Sequence, residues 1–151
     1  MNGELYHYDS CGLPDIWLQN GFEVKQTRYG EAVSIHNLGG LHRAIGLDLV
    51  RNKPTLNGAE VRFLRKEMDF PQAQLASLLD VSESTVRNWE SGRANVPGPA
   101  DRILRTLYLE FAREESRIRE TLERISQLNR DRHENVRRAF AEQGGNWGLA
   151  A

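Results

Sequence analysis

Residues 58–92 read GAEVRFLRKEMDFPQAQLASLLDVSESTVRNWESG, and the punctuation of this stretch decides the fold. A first helix is expected behind Asn57, a residue whose side chain suits a helix N-cap. It sets Val61, Leu64, Arg65 and Met68 along one stripe. Pro71 opens a second helix, because proline suits a first turn where its missing N–H is not needed. Leu75, Leu78 and Leu79 then recur at helical spacing. Asp80-Val81 makes a short turn, and Ser82 caps a third helix that runs through Trp89. Gly92 supplies a left-handed stop. Val61, Leu64, Leu75, Leu78, Leu79, Val86 and Trp89 are expected in the core. Trp89 shares a face with Val86 three residues away, so packing is expected of it rather than base stacking.

A helix, a tight turn and a capped helix with a polar outer face form the pattern of a helix-turn-helix. The residues also resemble the Xre, or lambda-repressor-like, DNA-binding family. The resemblance runs from Thr55 to Leu107. It rests on Gln72 at the start of helix two, Ala76 in its middle, Val81 after the turn, Ser82 as cap, and Trp89-Glu90-x-Gly92 after helix three. Xre-type proteins lay the third of these helices in the major groove, with its N-terminal residues at base edges. The resemblance therefore implies that Glu83, Ser84, Thr85, Arg87 and Asn88 face the bases. Their chemistry suits base reading. Asn88 fits adenine N6 and N7, Arg87 fits guanine O6 and N7 or a phosphate, Ser84 serves as donor or acceptor, and Glu83 accepts from cytosine N4. Glu83 has a structural alternative as a first-turn acid that favours the helix dipole. Thr85 reaches a base or a phosphate according to helix tilt. Gln72, Ser82, Arg93 and Asn95 are the expected phosphate contacts. Arg62, Arg65 and Lys66 rank below them, because helix one crosses behind.

Composition limits the alternatives. The 151 residues carry a net charge of −1, which is no global basic signal. Residues 1–50 hold three basic and six acidic side chains, residues 51–113 ten and eight, and residues 114–151 seven of each. The helix-turn-helix thus occupies the one positive third, as phosphate binding favours. The single cysteine, Cys11, excludes an internal disulfide and suits a reducing cytosol. No membrane span and no secretion signal is expected, so a cytoplasmic protein is. No nucleophile elbow, phosphate loop or His-x-x-x-His helix suggests an enzyme.

The first fifty-odd residues read as short strands, Glu4–Tyr8, Ile16–Gln19, Phe22–Thr27 and Ala32–His36. Asn20-Gly21 is a two-residue hairpin signal between the second and third. Trp17, Val24, Val33 and Ile35 would face a helix over Leu38–Val50, capped by Asn37, with Leu41, Ala44, Ile45 and Leu49 inward. His7, Cys11, His36 and His42 have zinc-ligand chemistry, but no Cys-x-x-Cys pair joins them, and ordinary side-chain roles are expected; no metal or cofactor is assigned. The layout is similar to MqsA-type antitoxins, which join a small N-terminal module to an Xre-type helix-turn-helix. Their module is held by four-cysteine zinc, which one cysteine cannot supply.

Behind Val96-Pro97-Gly98-Pro99 no proline or glycine appears before Gly144, so one long helix is expected from Pro99 to about Gln143. Leu104, Tyr108, Phe111, Glu115, Ile118, Leu122, Ile125, Asn129, Arg132, Val136 and Ala139 step by fours and threes, the period of a coiled coil. Leu104, Tyr108, Phe111, Ile118, Leu122 and Ile125 form its apolar seam and the expected dimer contact. Residues 144–151, with Trp147, read as a loose tail. The basic cluster Arg130, Arg132, Arg137 and Arg138 reads as a solvated face.

The sequence therefore predicts an α+β chain in four parts. Residues 1–54 form a small β-meander with a helix, 55–98 the DNA-binding domain, 99–143 a dimerising helix and 144–151 the tail. Its expected function is a sequence-specific transcriptional regulator, a dimeric autorepressor on double-stranded operator DNA. The alternative is an antitoxin-type protein that binds a toxin through residues 1–50 and autoregulates its operon.

Overall fold

The fold is seen in a computed structural model that describes residues 4–114, 117–128 and 137–150. Four strands precede the first helix: β1 (Tyr6–His7), β2 (Ile16–Leu18), β3 (Phe22–Thr27) and β4 (Gly30–Ile35). The helices are α1 (Leu38–Asn52), α2 (Gly58–Glu67), α3 (Gln72–Leu79), α4 (Glu83–Glu90), α5 (Gly98–Phe111) and α6 (Ile118–Gln127). Two further strands follow, β5 (Arg138–Gln143) and β6 (Asn146–Leu149). The class is α+β, as the sequence predicts.

Asn37 starts α1, the helix that meets the most other elements among those described. Its side chain accepts the N–H of Gly40 at 3.2 Å, satisfying one of the free donors of the first turn. Leu41, Ile45, Leu49 and Val50 of α1 are fully buried. Each such side chain is worth roughly 1.5–3 kcal/mol of apolar burial. Helix α1 packs on β5 and β6 and on α2, α5 and α6. Gly46 makes room for α5, because a Cβ there would lie 2.2 Å from the hydroxyl of Tyr108.

The strands do not form the expected meander. β1 pairs antiparallel with β2, β2 pairs parallel with β5, and β5 pairs antiparallel with β6, giving one four-stranded sheet. β3 and β4 form a separate two-stranded ribbon in which Phe22 faces Ile35 and Thr27 faces Gly30. Asn20-Gly21 is therefore a corner between two sheets and not a hairpin turn. Gly21 has φ +81°, and the Trp147 ring lies where its Cβ would be. Val24 is exposed and Val33 half-buried on the ribbon, so neither packs on α1 as expected.

The long C-terminal helix is also replaced. α5 ends at Phe111, and Arg113 turns left-handed at φ 62°. The stop comes from α1: Arg43 donates to the carbonyl of Ala112 at 2.8 Å, and Arg51 pairs with Glu114. α6 packs back on α1 and α5. Leu104, Tyr108 and Ile125 are buried within the chain, which removes them from any contact between copies. Glu115, Asn129, Arg130, Arg132 and Val136 lie outside the described residues, as does the side chain of Ile118. Ala139 lies in β5. The expected tail is a strand, turned back at Gly144-Gly145 and pinned by a 2.9 Å bond from the Trp147 indole N–H to the carbonyl of His36.

Buried ion pairs join the parts. Arg105, fully buried, bonds Asp101 at 2.5 Å and the carbonyl of Val50 at 2.9 Å, while Asp101 accepts the N–H of Leu56. Lys53 and Glu60 form a buried pair at 2.5 Å, and Glu60 closes a capping box with Asn57 at the start of α2. Among the described residues no helix is long and apolar enough to cross a membrane. Also among them, no three His, Cys, Asp or Glu side chains stand where they could hold a metal ion.

Candidate nucleic-acid interface

Three short helices build the interface, and each end has a local cause. Gly58 lets the start of α2 meet the end of α4, since a Cβ there would lie 2.0 Å from the carbonyl oxygen of Trp89. Asp80 closes α3 in a left-handed conformation at φ 58°. Ser82 then caps α4, accepting the N–H of Thr85 at 3.1 Å. Gly92, at φ +83°, ends it, with the N–H of Arg93 bonded to the carbonyl of Asn88. Leu75, Ala76, Val86 and Trp89 are buried between the helices. Leu78 is 50 % exposed, contrary to expectation, because it points away from the α3–α4 contact.

A polar clamp fixes the crossing of α2, α3 and α4. Arg65 donates to both carboxylate oxygens of Glu90, at 2.6 and 3.0 Å, and to the carbonyl of Phe70 at 2.8 Å. Gln72 donates to Glu90 at 3.0 Å. Arg65 thus has a structural role, and its charge is spent on a nearly buried carboxylate. A planar guanidinium matched to a carboxylate holds direction as well as distance.

Glu83, Ser84, Arg87 and Asn88 stand exposed on α4. Thr85 is half-buried, and its hydroxyl lies 2.7 Å from that of Ser82. It belongs to the cap in this geometry and is turned from the exposed row. Arg87 pairs loosely with Glu83 at 3.3 Å, an exposed contact that a phosphate or guanine can replace at little cost. Beside this row lies a groove of about 470 Å3 lined by Arg62, Arg65, Gln72, Arg87, Asn88 and Arg93, among others. With Arg65 neutralised by Glu90, the groove still presents Arg62, Arg87 and Arg93. Arg93 and Gln72 thus meet in one place, whereas Asn95, though exposed, is not among the groove's lining residues. Arg62, which the sequence ranks below these residues, also lines the groove. Its charge was visible, but its position depends on how closely α2 crosses α4 at Gly58.

A compact helical unit with an exposed polar helix beside an arginine-lined groove has the layout of a helix-turn-helix. A family model described as helix-turn-helix matches residues 61–99. That match supports a helix-turn-helix of the Xre, lambda-repressor-like type in this segment, and with it a DNA-binding transcriptional regulator. No curated protein and no solved structure matches the chain.

Proposed function

We propose that the chain is a sequence-specific repressor that reads the major groove with α4 as a two-fold dimer. The carrying observation is the exposed row Glu83, Ser84, Arg87 and Asn88 beside the groove that holds Gln72, Arg62 and Arg93. In this reading Arg87 and Asn88 give base choice. Gln72, Arg62 and Arg93 hold the backbone, and Ser82 with the first turn of α4 adds N–H groups near a phosphate. Selection of bound fragments from a random DNA pool tests it. One enriched motif with two half-sites about a helical turn apart is expected. Equal retention of all sequences would sink the proposal.

The dimer reading rests on α5. Ile103, Leu107 and Phe111 recur every fourth residue, with Ile103 46 % and Phe111 53 % exposed. An apolar stripe of this kind on a surface helix suits a second copy. Phe111→Glu is expected to leave the fold intact and to shift sedimentation from dimer to monomer. A wild type that sediments as a monomer at all concentrations would refute it.

The antitoxin reading draws on one feature, the β3–β4 ribbon within residues 1–50. Its strands pair with each other, and Tyr29 at its tip is 90 % exposed. An unpaired strand edge can take up an extended segment of a protein partner. Co-purification of a protein that is lost on deleting residues 24–33 supports this second reading, and its retention excludes the ribbon.

A further inference from the structure

The loop Ser10-Cys11-Gly12 and the outer face of α2 enclose a second cavity of about 360 Å3. Its α2 wall is Ala59, Arg62, Phe63, Lys66 and Glu67, which fall on one helical face. The acidic groups around it are already engaged. Glu67 accepts from His42 Nδ1 at 2.9 Å, and His42 Nε2 lies 2.7 Å from the Tyr8 hydroxyl. Burial pushes the Tyr8 phenol up to about 12, so it keeps its proton and donates a hydrogen bond to His42 Nε2. Glu90 is held by Arg65 and Gln72. Burial likewise pushes the Cys11 thiol up, leaving it neutral. Arg62 and Lys66 have no ion-pair partner among the described residues. Two uncompensated cations beside the ring of Phe63 suit a molecule with one anionic end and one apolar body.

We propose that this cavity binds a small organic anion as an effector and that Arg62 couples it to DNA. Arg62 lines both this cavity and the groove of the DNA-reading surface. The Arg62 side chain extends in one direction at a time, so a carboxylate that draws it into the cavity takes it from a phosphate in the groove. Occupation therefore withdraws one phosphate contact and weakens binding at all sequences alike. The regulatory half of this proposal rests on the DNA-binding reading above; the binding half does not.

Benzoate is the probe, with benzyl alcohol as its neutral counterpart. Calorimetry on the full chain is expected to show saturable binding of benzoate and none of benzyl alcohol. Benzoate should also slow alkylation of Cys11, the one cysteine of the chain. The double variant Arg62→Gln, Lys66→Gln should lose both effects at unchanged circular dichroism, while Arg87→Gln, outside the cavity, keeps them. Absent binding, equal binding of the alcohol, or binding that survives the double variant overturns the site. With a selected DNA fragment, benzoate should lower the slope of log affinity against log salt by about 0.9, one phosphate's worth. A slope unchanged by bound benzoate overturns the coupling. A chain that binds no DNA even without benzoate counts against the DNA-binding reading, while calorimetry still decides the site.

Discussion

At the head of α4 three hydroxyls share one cap. Ser82 accepts the N–H of Thr85 and lies within 3.0 Å of the Ser84 hydroxyl and 2.7 Å of the Thr85 hydroxyl. Ser84 must leave this cluster to touch a base, whereas the exposed Asn88 amide is free of the cap. The residue carrying most base choice is therefore expected to be Asn88. Asn88→Ala should cost about 1–3 kcal/mol on the selected site and little on random DNA, as a titration of both will read. An equal loss on both would make Asn88 a backbone contact. Gly58 acts at the same scale through space alone. In Gly58→Ala the new methyl meets the Trp89 carbonyl, which also accepts the N–H of Gly92. Backbone cannot yield as a side chain does, so a loss of about 1–3 kcal/mol in urea unfolding is expected. Gly98→Ala, where a Cβ meets nothing within 4 Å, is the matched control.

At the scale of elements, the ribbon β3–β4 pairs as a sheet of its own. His36 at its end bonds Glu23 at 2.9 Å and approaches Glu142 of β5 at 3.4 Å. The Glu23 bond, with Glu142 behind it, raises His36 above its usual 6.5. The same bond lowers Glu23 below its usual 4.5. The signs follow from linkage. The histidine contribution is complete below the ordinary histidine value and is lost as pH rises through the raised one. The Glu23 contribution is present above the ordinary carboxylate value and is lost as pH falls through the lowered one. The ribbon should thus be held best in mildly acidic solution and loosen toward alkaline pH. Hydrogen exchange of Glu23–Thr27 amides, corrected for intrinsic rate, should show this, and His36→Gln should abolish it. An unchanged pH profile in that variant would assign the loosening elsewhere. The helix stop at Arg113 is a second property of elements in contact. Nothing in Phe111-Ala112-Arg113-Glu114 breaks a helix by propensity, and arginines of α1 select the end.

Over the whole molecule, the helix-turn-helix is inserted between the two halves of one sheet. Arg138 of β5 ties those halves, bonding Asp15 ahead of β2 at 3.1 Å and lying 2.9 Å from the buried carboxylate of Asp48 on α1. Burial already holds Asp48 above the usual carboxylate value, and Asn52 and Arg138 oppose that rise. Arg138→Ala leaves this charge unpaired, a loss of about 3–5 kcal/mol. Protonating Asp48 relieves it, so the deficit should shrink in mildly acidic buffer. A deficit independent of pH would mean that lost packing, not the stranded charge, is the cause.

The helix-turn-helix and α1 were legible in the sequence because their signals are local. Asn37, Asn57, Ser82 and Gly92 act within a few residues of the ends they form, and Leu75, Val86 and Trp89 mark the buried face by spacing alone. The row Glu83, Ser84, Arg87 and Asn88 follows from the same period. The C-terminal region was not legible in this way. RAFAEQ suits a helix by propensity, although Gly144-Gly145 before a tryptophan-bearing run was a hairpin signal in plain view. Its strand form needs β2, more than a hundred residues away, as a parallel partner. Likewise, Arg62 became part of the groove only through the α2–α4 crossing, and Leu104 and Tyr108 entered the core only when α5 met α1. By itself the sequence determined the ends of α1, α2 and α4 and the faces they bury, since those depend on neighbours along the chain. Tertiary structure alone decided strand partners, the end of α5 and the cations that share a groove, because those energies arise only when distant segments meet.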